Sequence, residues 1–170
     1  MNSLISSLNA EALYLQLLAQ IKEQTVALEN LAIVGIYSGG AWLAERLAAD
    51  LGLANKPGFI DVSFYRDDYA KIGLHADVKP TRIPFEVDNA SIILVDDVLY
   101  TGRTTRAAIN ELFDYGRPAK IMLAALVDRG GRELPIAADF VAYSACFDNT
   151  SSVRLQRAAD GTLSLSIDHA

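Results

Sequence analysis

The sequence contains few of the residues on which several classes of protein depend. It has one cysteine, Cys146, which excludes an intramolecular disulfide, and its two histidines form no cluster with structural zinc-site spacing. Basic residues are also scarce, because 15 Lys and Arg stand against 21 Asp and Glu and leave a net charge of −6. This balance disfavours a globally basic nucleic-acid-binding protein, although it leaves room for a local basic patch.

Long apolar runs are missing as well. No uncharged apolar stretch approaches the ~20 residues that span a bilayer. The first nine residues have neither the basic segment nor the long apolar segment of a secretion signal. We therefore expect a soluble, cytoplasmic protein with no membrane partner.

The composition is otherwise typical of a folded domain. Hydrophobic residues make up 51% of the chain and charged residues 21%, which excludes disorder and low-complexity structure. A length of 170 residues fits one compact domain, and no linker or internal repeat divides it. The prediction is a single domain over residues 1–170.

Helical and strand-like segments alternate along most of this length. Apolar residues recur at helical spacing after Asn9, a candidate N-cap, whereas the β-branched runs are apolar on both faces, as in buried parallel strands. Helices are predicted at 9–28, 41–51 and 101–115, and strands at 31–37, 59–64, 91–95 and 121–127. The alternation predicts an α/β fold with a mostly parallel central sheet flanked by helices.

Two regions do not follow this alternation of helices and strands. After Pro135 the pattern changes to short strands at 140–145, 153–157 and 163–167, which predict a small C-terminal β-containing hood. Residues 65–83 are highly charged and contain Gly73, and a loop of this length in a compact domain is usually functional or mobile. We predict a mobile lid loop over 65–83.

The segment from Ile92 to Thr105 carries the chemistry. It brings Asp96 and Asp97 to the end of a buried strand, at the sheet edge where open α/β sheets bind ligands. The Thr- and Gly-rich turn that follows opens a helix, whose unpaired N–H groups and partial positive charge suit a phosphate, and Gly102 permits close approach. The carboxylates suit a sugar diol or water-bridged Mg²⁺.

A phosphate at one end and a cis-diol beside it describe a ribose 5-phosphate. The alternative is a capped strand–turn–helix that binds no ligand. A Walker A loop is a weaker alternative, because its glycine and lysine spacing does not occur.

This segment resembles the diphosphoribosyl-binding signature of type I phosphoribosyltransferases. Over Val95–Thr104 it is similar to the signature of one family, the bifunctional pyrimidine-operon regulators and uracil phosphoribosyltransferases (the PyrR family). Residues 65–68 and 126–136 fit the same family, and the similarity extends from about residue 31 to residue 140. The resemblance implies a type I phosphoribosyltransferase-like fold.

The resemblance also implies the site residues. Asp96 and Asp97 would be the catalytic pair that contacts the ribose hydroxyls of phosphoribosyl diphosphate (PRPP). Mg²⁺ would arrive with PRPP and reach these carboxylates through water, without direct protein ligands. The implied PRPP-binding residues are Asp96, Asp97, Val98, Leu99, Tyr100, Thr101, Gly102, Arg103 and Thr104.

Two further groups complete the implied site. Ser38 and Gly39 would form the diphosphate loop, although the family commonly has a Thr-Arg pair there. The base or nucleotide side would be lined by Arg66, Asp128, Arg129 and Gly130.

The implied activity is that of a uracil phosphoribosyltransferase, which converts uracil and PRPP to UMP and diphosphate, with a regulatory role in pyrimidine operon expression. The chain is expected to form a homodimer or higher homo-oligomer. The type I signature by itself would equally suit orotate or a purine as the acceptor base. A nucleotide-binding protein without transferase activity is a further alternative.

Another alternative is a nucleotide-sensing, RNA-binding attenuation regulator with little or no transferase activity, whose partner would be pyrimidine-operon leader RNA. Gly131 and Ala137 stand where the family commonly has His and Arg, and Lys22 is the single cation of residues 1–30. RNA affinity depends on phosphate neutralisation, so we expect weak or conditional RNA binding.

Overall fold

A computed structural model describes residues 8–63 and 80–169. Helices and strands alternate through most of this length, as predicted. In chain order the elements are α1 (Ala10–Thr25), β1 (Leu31–Ile36), α2 (Gly39–Asp50), β2 (Gly58–Ile60), β3 (Ser91–Leu99), α3 (Arg103–Tyr115), β4 (Lys120–Asp128), β5 (Phe140–Ser144), β6 (Ser151–Arg157) and β7 (Leu163–His169).

The central sheet has five parallel strands in the order β2-β1-β3-β4-β5. Its inner strands are short apolar runs buried on both faces, as expected for a parallel sheet covered on each side. β5 pairs with β4, with Phe140 opposite Ala124, so the predicted strand at 140–145 belongs to this sheet. The C-terminal β part is the antiparallel β6–β7 hairpin. The predicted fold class is confirmed.

The helices and the hairpin divide between the two faces of the sheet. One face packs against α1, α2 and the β6–β7 hairpin, and the other against α3. Alternate residues of β3 separate accordingly, with Ile93 and Val95 on the first face and Ile92 and Leu94 on the second. None of the helices in the described ranges is long and apolar enough to cross a membrane.

Helix α1 begins as predicted and also protects the edge of the sheet. The Asn9 side chain accepts a hydrogen bond from the Ala12 amide at 3.1 Å, which is the geometry of an N-cap. Further along, the Gln20 amide donates to the Val141 carbonyl and accepts from the Val141 N–H, at 2.8 and 3.2 Å. Gln20 thus pairs with the outer side of edge strand β5, where unpaired backbone groups would invite association.

The strand ends differ from the prediction at two places that matter for the site. β3 was expected to end at Val95, but it continues to Leu99, because Val98 and Leu99 still pair with β4. Asp96 and Asp97 therefore lie within the strand instead of following it. β2 is shorter than expected and stops at Ile60.

Candidate active site

Strands β1, β3 and β4 are parallel neighbours, so the segments that follow them meet at the carboxyl edge of the sheet. These segments are the β1–α2 turn (residues 37–40), the phosphate loop (residues 100–104) and the post-β4 segment (residues 128–136). Asp96 and Asp97 lie between them, near the end of the central strand. The edge therefore brings most of the described candidate residues together.

The two aspartates occupy different surroundings at this edge. Asp96 is buried, at 7% exposure, and its Oδ1 accepts the N–H of Asp97 at 2.9 Å. Asp97 is half-buried and contacts the β1–α2 turn, because a Cβ added at Gly39 would collide with its carboxylate. The predicted diphosphate loop and one of the predicted catalytic carboxylates are thus in direct contact.

The β1–α2 turn comes this close because residues 39 and 40 are glycines. Gly40 packs so tightly on β3 that a Cβ there would collide with the Val95 carbonyl. Ser38 precedes α2, and its carbonyl accepts the amides of Ala41 and Trp42 at 3.1 and 3.3 Å. Any side chain at position 39 would have to displace the Asp97 carboxylate from this arrangement. With glycine at position 39, this turn offers backbone amides at a helix N-terminus.

The phosphate loop leads into α3 through a glycine. Gly102 has φ of +93°, a backbone conformation that other residues rarely adopt, and it is the N-cap residue of the helix. Thr101 is buried, and its hydroxyl accepts the Arg103 amide at 3.3 Å. The following amides of the first turn have no intrahelical acceptor, so this end of the helix suits an anion.

Two residues of this region differ from their predicted environment. The Arg103 side chain is exposed and binds Glu133 through Nε at 3.0 Å and Nη2 at 2.6 Å, so its guanidinium already has an anionic partner. Thr105 ends the predicted motif, although it is not among the predicted PRPP-binding residues. It is 1% exposed, and its hydroxyl has no hydrogen-bond partner within the described part of the chain.

The apolar residues of the predicted PRPP set support the loop from the core. Val98 packs against the core on the α1 and α2 face, and Leu99 is buried on the α3 face. The Tyr100 ring lies beneath the Arg129 guanidinium, whose Cζ is 4.0 Å from the ring centroid. These three side chains fix the position of the loop backbone. The polar groups at the carboxyl edge of the sheet belong to the residues before and after them in the predicted set.

The predicted base side is organised around Asp128. Its carboxylate accepts the Gly130 amide at 3.0 Å and the Arg132 Nη2 at 2.5 Å. Arg129 is 7% exposed and donates from Nη2 to the Asp148 carbonyl at 3.1 Å, while its Nε has no partner among the described residues. Arg132, and not Arg129, therefore forms the ion pair with Asp128.

Arg66 and most of the predicted lid lie outside the described residues. The last part of the 65–83 segment is described, and there Arg82 pairs with Phe59 through two backbone hydrogen bonds of 2.7 and 2.8 Å. The end of the predicted loop is therefore bound to β2.

The chain is similar to known proteins over most of its length. The model of the phosphoribosyl transferase domain family matches residues 4–156. A curated relative from Ralstonia nicotianae, named Bifunctional protein PyrR, is 53% identical over 91% of this chain and 89% of its own length. Another of that name, from Nitrosococcus oceani, is 49% identical over 88% of this chain and 86% of its own.

The chain belongs to the PyrR family of phosphoribosyltransferases. The resemblance stated from the motif is thereby confirmed over most of the sequence. Solved structures place the PyrR chain in the same fold as more distant enzymes. A purine phosphoribosyltransferase from Pyrococcus horikoshii superposes with a TM-score of 0.59 at 24% identity, over 80% of this chain and 82% of its own. A hypoxanthine phosphoribosyltransferase from Trypanosoma cruzi gives 0.60 at 21% identity, over 81% and 79%.

Proposed function

We propose that this protein transfers the 5-phosphoribosyl group of PRPP to uracil and releases UMP and diphosphate. The observation that carries the proposal is the contact between Gly39 and the carboxylate of Asp97. It places one helix N-terminus, that of α2, beside the carboxylate, while the strand that carries Asp97 leads within a few residues to a second, that of α3. Helix N-termini suit anions, so two of them near two carboxylates match a sugar with a phosphate at one end and a diphosphate at the other.

The phosphate loop would hold the 5-phosphate. Gly102 allows the substrate to approach the first-turn amides of α3, and the hydroxyls of Thr101 and Thr104 are within the same turn. Because these groups belong to a helix that packs on the sheet, the phosphate would be bound at a fixed distance from the carboxylates.

Asp96 and Asp97 would bind the ribose hydroxyls. Carboxylate oxygens accept hydrogen bonds from a diol, and they are also the ligands that Mg²⁺ prefers, so the pair fits a Mg²⁺ ion that enters with PRPP and is held through water. Such an ion would supply positive charge for the departing diphosphate. The β1–α2 turn beside Asp97 would contact the diphosphate through its backbone.

Catalysis would then depend on position and electrostatics. No side chain has to attack the sugar, since the acceptor base is itself the nucleophile. The rate would come from holding base and sugar in reacting geometry and from stabilising charge as the bond to diphosphate breaks. The uracil would approach from the side of Asp128, Arg129 and Gly130, and Arg66 with the remainder of the 65–83 segment would exclude water.

A second, regulatory role is supported by the word "bifunctional" in the names of the relatives. We propose that the protein contributes to control of pyrimidine operon expression, with UMP as the sensed nucleotide. Direct contact with leader RNA would be weak or conditional. At Gly131 a Cβ would collide with the Tyr100 ring, and Arg132 is occupied by internal hydrogen bonds. Assembly of a homodimer or higher homo-oligomer would bring cations of two chains together.

Product formation with a panel of bases tests the proposed activity. The purified protein is incubated with PRPP and uracil, orotate, hypoxanthine or guanine, with Mg²⁺ and after its removal by chelation. We expect UMP from uracil, dependence on Mg²⁺ and much less product from the other bases. Transfer to a purine in preference to uracil would refute the assigned acceptor, and no transfer to any base would favour the nucleotide-sensing alternative.

A further inference from the structure

The post-β4 segment contacts the phosphate loop residue by residue. The Arg129 N–H donates to the Leu99 carbonyl at 3.0 Å, and the amides of Glu133 and Leu134 donate to the Thr101 carbonyl at 3.0 and 3.2 Å. Ile136 lies so close to Gly102 that an added Cβ would be 3.0 Å from its Cγ1. The loop that would hold the 5-phosphate is therefore supported along its length by a segment 30 residues later in the chain.

Arg132 is the side chain that joins the two segments. Its Nη1 donates to the Tyr100 carbonyl at 2.7 Å, its Nε to the Ile136 carbonyl at 2.8 Å and its Nη2 to the Asp128 carboxylate at 2.5 Å. The planar guanidinium therefore donates to three acceptors that lie in different directions. No other side chain has a donor arrangement that can do this. Its side chain is 24% exposed, so these charge-assisted bonds are partly shielded from water.

The Tyr100 ring makes further contacts between the phosphate loop and the post-β4 segment. The Arg129 guanidinium lies over this ring, and Gly131, with φ of +75°, leaves the space that the ring edge fills. The backbone of Tyr100 is held by Arg132 and its side chain by Arg129 and Gly131. Tyr100 directly precedes Thr101, so the start of the phosphate loop is fixed through both its main chain and its side chain.

We propose that Arg132 is a positioning residue for phosphoribosyl transfer. This role rests on the proposed function. In it, Arg132 holds the phosphate loop at a fixed distance from Asp128 on the base side. When Arg132 is lost, the Tyr100 carbonyl loses its donor and the Asp128 carboxylate loses its cation. The first-turn amides of α3 are then displaced from the positions in which they would bind the 5-phosphate. A displacement of about 1 Å can lower the reaction rate about a hundredfold.

Two substitutions at this position and one control test the proposal. Arg132→Gln removes the charge and the three-way fork, whereas Arg132→Lys keeps a charge that reaches Asp128 but not all three acceptors at once. Arg154→Gln is the matched control, because Arg154 also pairs with an aspartate, Asp168, and both side chains lie on the solvent-exposed side of the hairpin. Steady-state KM for PRPP, KM for uracil and kcat are measured for each, together with melting temperature and amide hydrogen exchange of residues 99–105.

Arg132→Gln is expected to raise the KM for PRPP by about tenfold or more, with a smaller change in the KM for uracil. Exchange at residues 99–105 should become faster. Arg132→Lys should lie between it and the wild type, and Arg154→Gln should match the wild type. If Arg132→Gln does not fold, Arg132→Lys carries the same comparison.

A folded Arg132→Gln whose KM for PRPP and loop exchange equal those of the wild type would overturn the proposal, even if its melting temperature fell. A rise confined to the KM for uracil would also overturn it, because Arg132 would then serve only Asp128. Absence of transfer by the wild-type protein would instead contradict the proposed function, and the loop exchange would still decide whether Arg132 holds the loop.

Discussion

At the scale of single residues, the contact between Gly39 and Asp97 decides how the site is built. Gly39 is buried at the start of α2, and the absence of a side chain is what allows the β1–α2 turn to touch the carboxylate. The sequence showed that position 39 departs from the family pattern, but it could not show that this position meets Asp97. Residues 39 and 97 are brought together only by the pairing of β1 with β3.

Gly39→Ala should therefore damage the reaction more than the fold. Alanine favours a helix over glycine by about 1 kcal/mol, which offsets part of the strain, but its Cβ must displace the Asp97 carboxylate. We expect the KM for PRPP to rise by about tenfold or more while the protein remains folded. Steady-state kinetics and thermal unfolding measured on the same preparation check this. Wild-type kinetics in the alanine variant would show that the contact has no role in PRPP binding.

At the scale of elements, local patterns predicted the helices and the buried strands, and long-range pairing set where they end. The charged pair Asp96-Asp97 predicts the end of a strand. β3 nevertheless continues past it, because Val98 and Leu99 still pair with residues of β4. The sequence shows both Asp128 and Glu133 near Arg132, and the structure pairs Arg132 with Asp128. That Arg132 also reaches the Tyr100 carbonyl depends on the packing of β4 beside β3, which no local pattern contains.

The junction of α1 and α2 predicts a pH dependence. Tyr14 is fully buried, and its hydroxyl donates to the Asp50 carboxylate at 2.6 Å. Burial, together with that hydrogen bond, raises the pKa of Tyr14 far above its usual value. A raised folded-state pKa means that the stabilisation is complete below the unfolded-state pKa of about 10 and is lost as the pH rises above it.

Tyr14→Phe should therefore flatten the decline of unfolding free energy between about pH 9.5 and 11. At pH 7 the loss of one hydrogen bond should cost about 1 kcal/mol. Denaturant unfolding at several pH values measures both effects. Tyr115→Phe is the control for removal of a tyrosine hydroxyl, because Tyr115 is 46% exposed. Equal alkaline slopes in wild type and Tyr14→Phe would contradict this interpretation.

At the scale of the whole molecule, the distribution of charge favours PRPP binding over RNA binding. The net charge is −6, and many arginines of the described residues are engaged with carboxylates of the same chain. These pairs are Arg46 with Glu11, Arg103 with Glu133, Arg132 with Asp128, Arg154 with Asp168, and Arg157 with Glu45. A cation already paired in this way neutralises an RNA phosphate less effectively, whereas binding of Mg²⁺–PRPP at a helix N-terminus needs no basic surface.

Leader RNA should accordingly bind weakly. We expect micromolar or weaker affinity with a shallow salt dependence, because two or three missing phosphate contacts lower affinity by orders of magnitude at physiological salt. Titration of pyrimidine-operon leader RNA at two salt concentrations, with and without UMP, measures this, and a shuffled RNA of equal length is the control. Nanomolar, steeply salt-dependent binding of the leader RNA alone would contradict the expectation and give the regulatory role a direct RNA contact.

We propose that Asp96 and Asp97, at the carboxyl edge of the sheet, bind PRPP for transfer to uracil. The most direct test is the rate of UMP formation by the wild type and by the double variant Asp96→Asn, Asp97→Asn. Asp168→Asn is the control, since Asp168 lies on the exposed hairpin. We predict a folded double variant whose kcat/KM for PRPP is lower by about a hundredfold or more, with the control unchanged. Unchanged PRPP kinetics in the folded double variant would contradict the assignment.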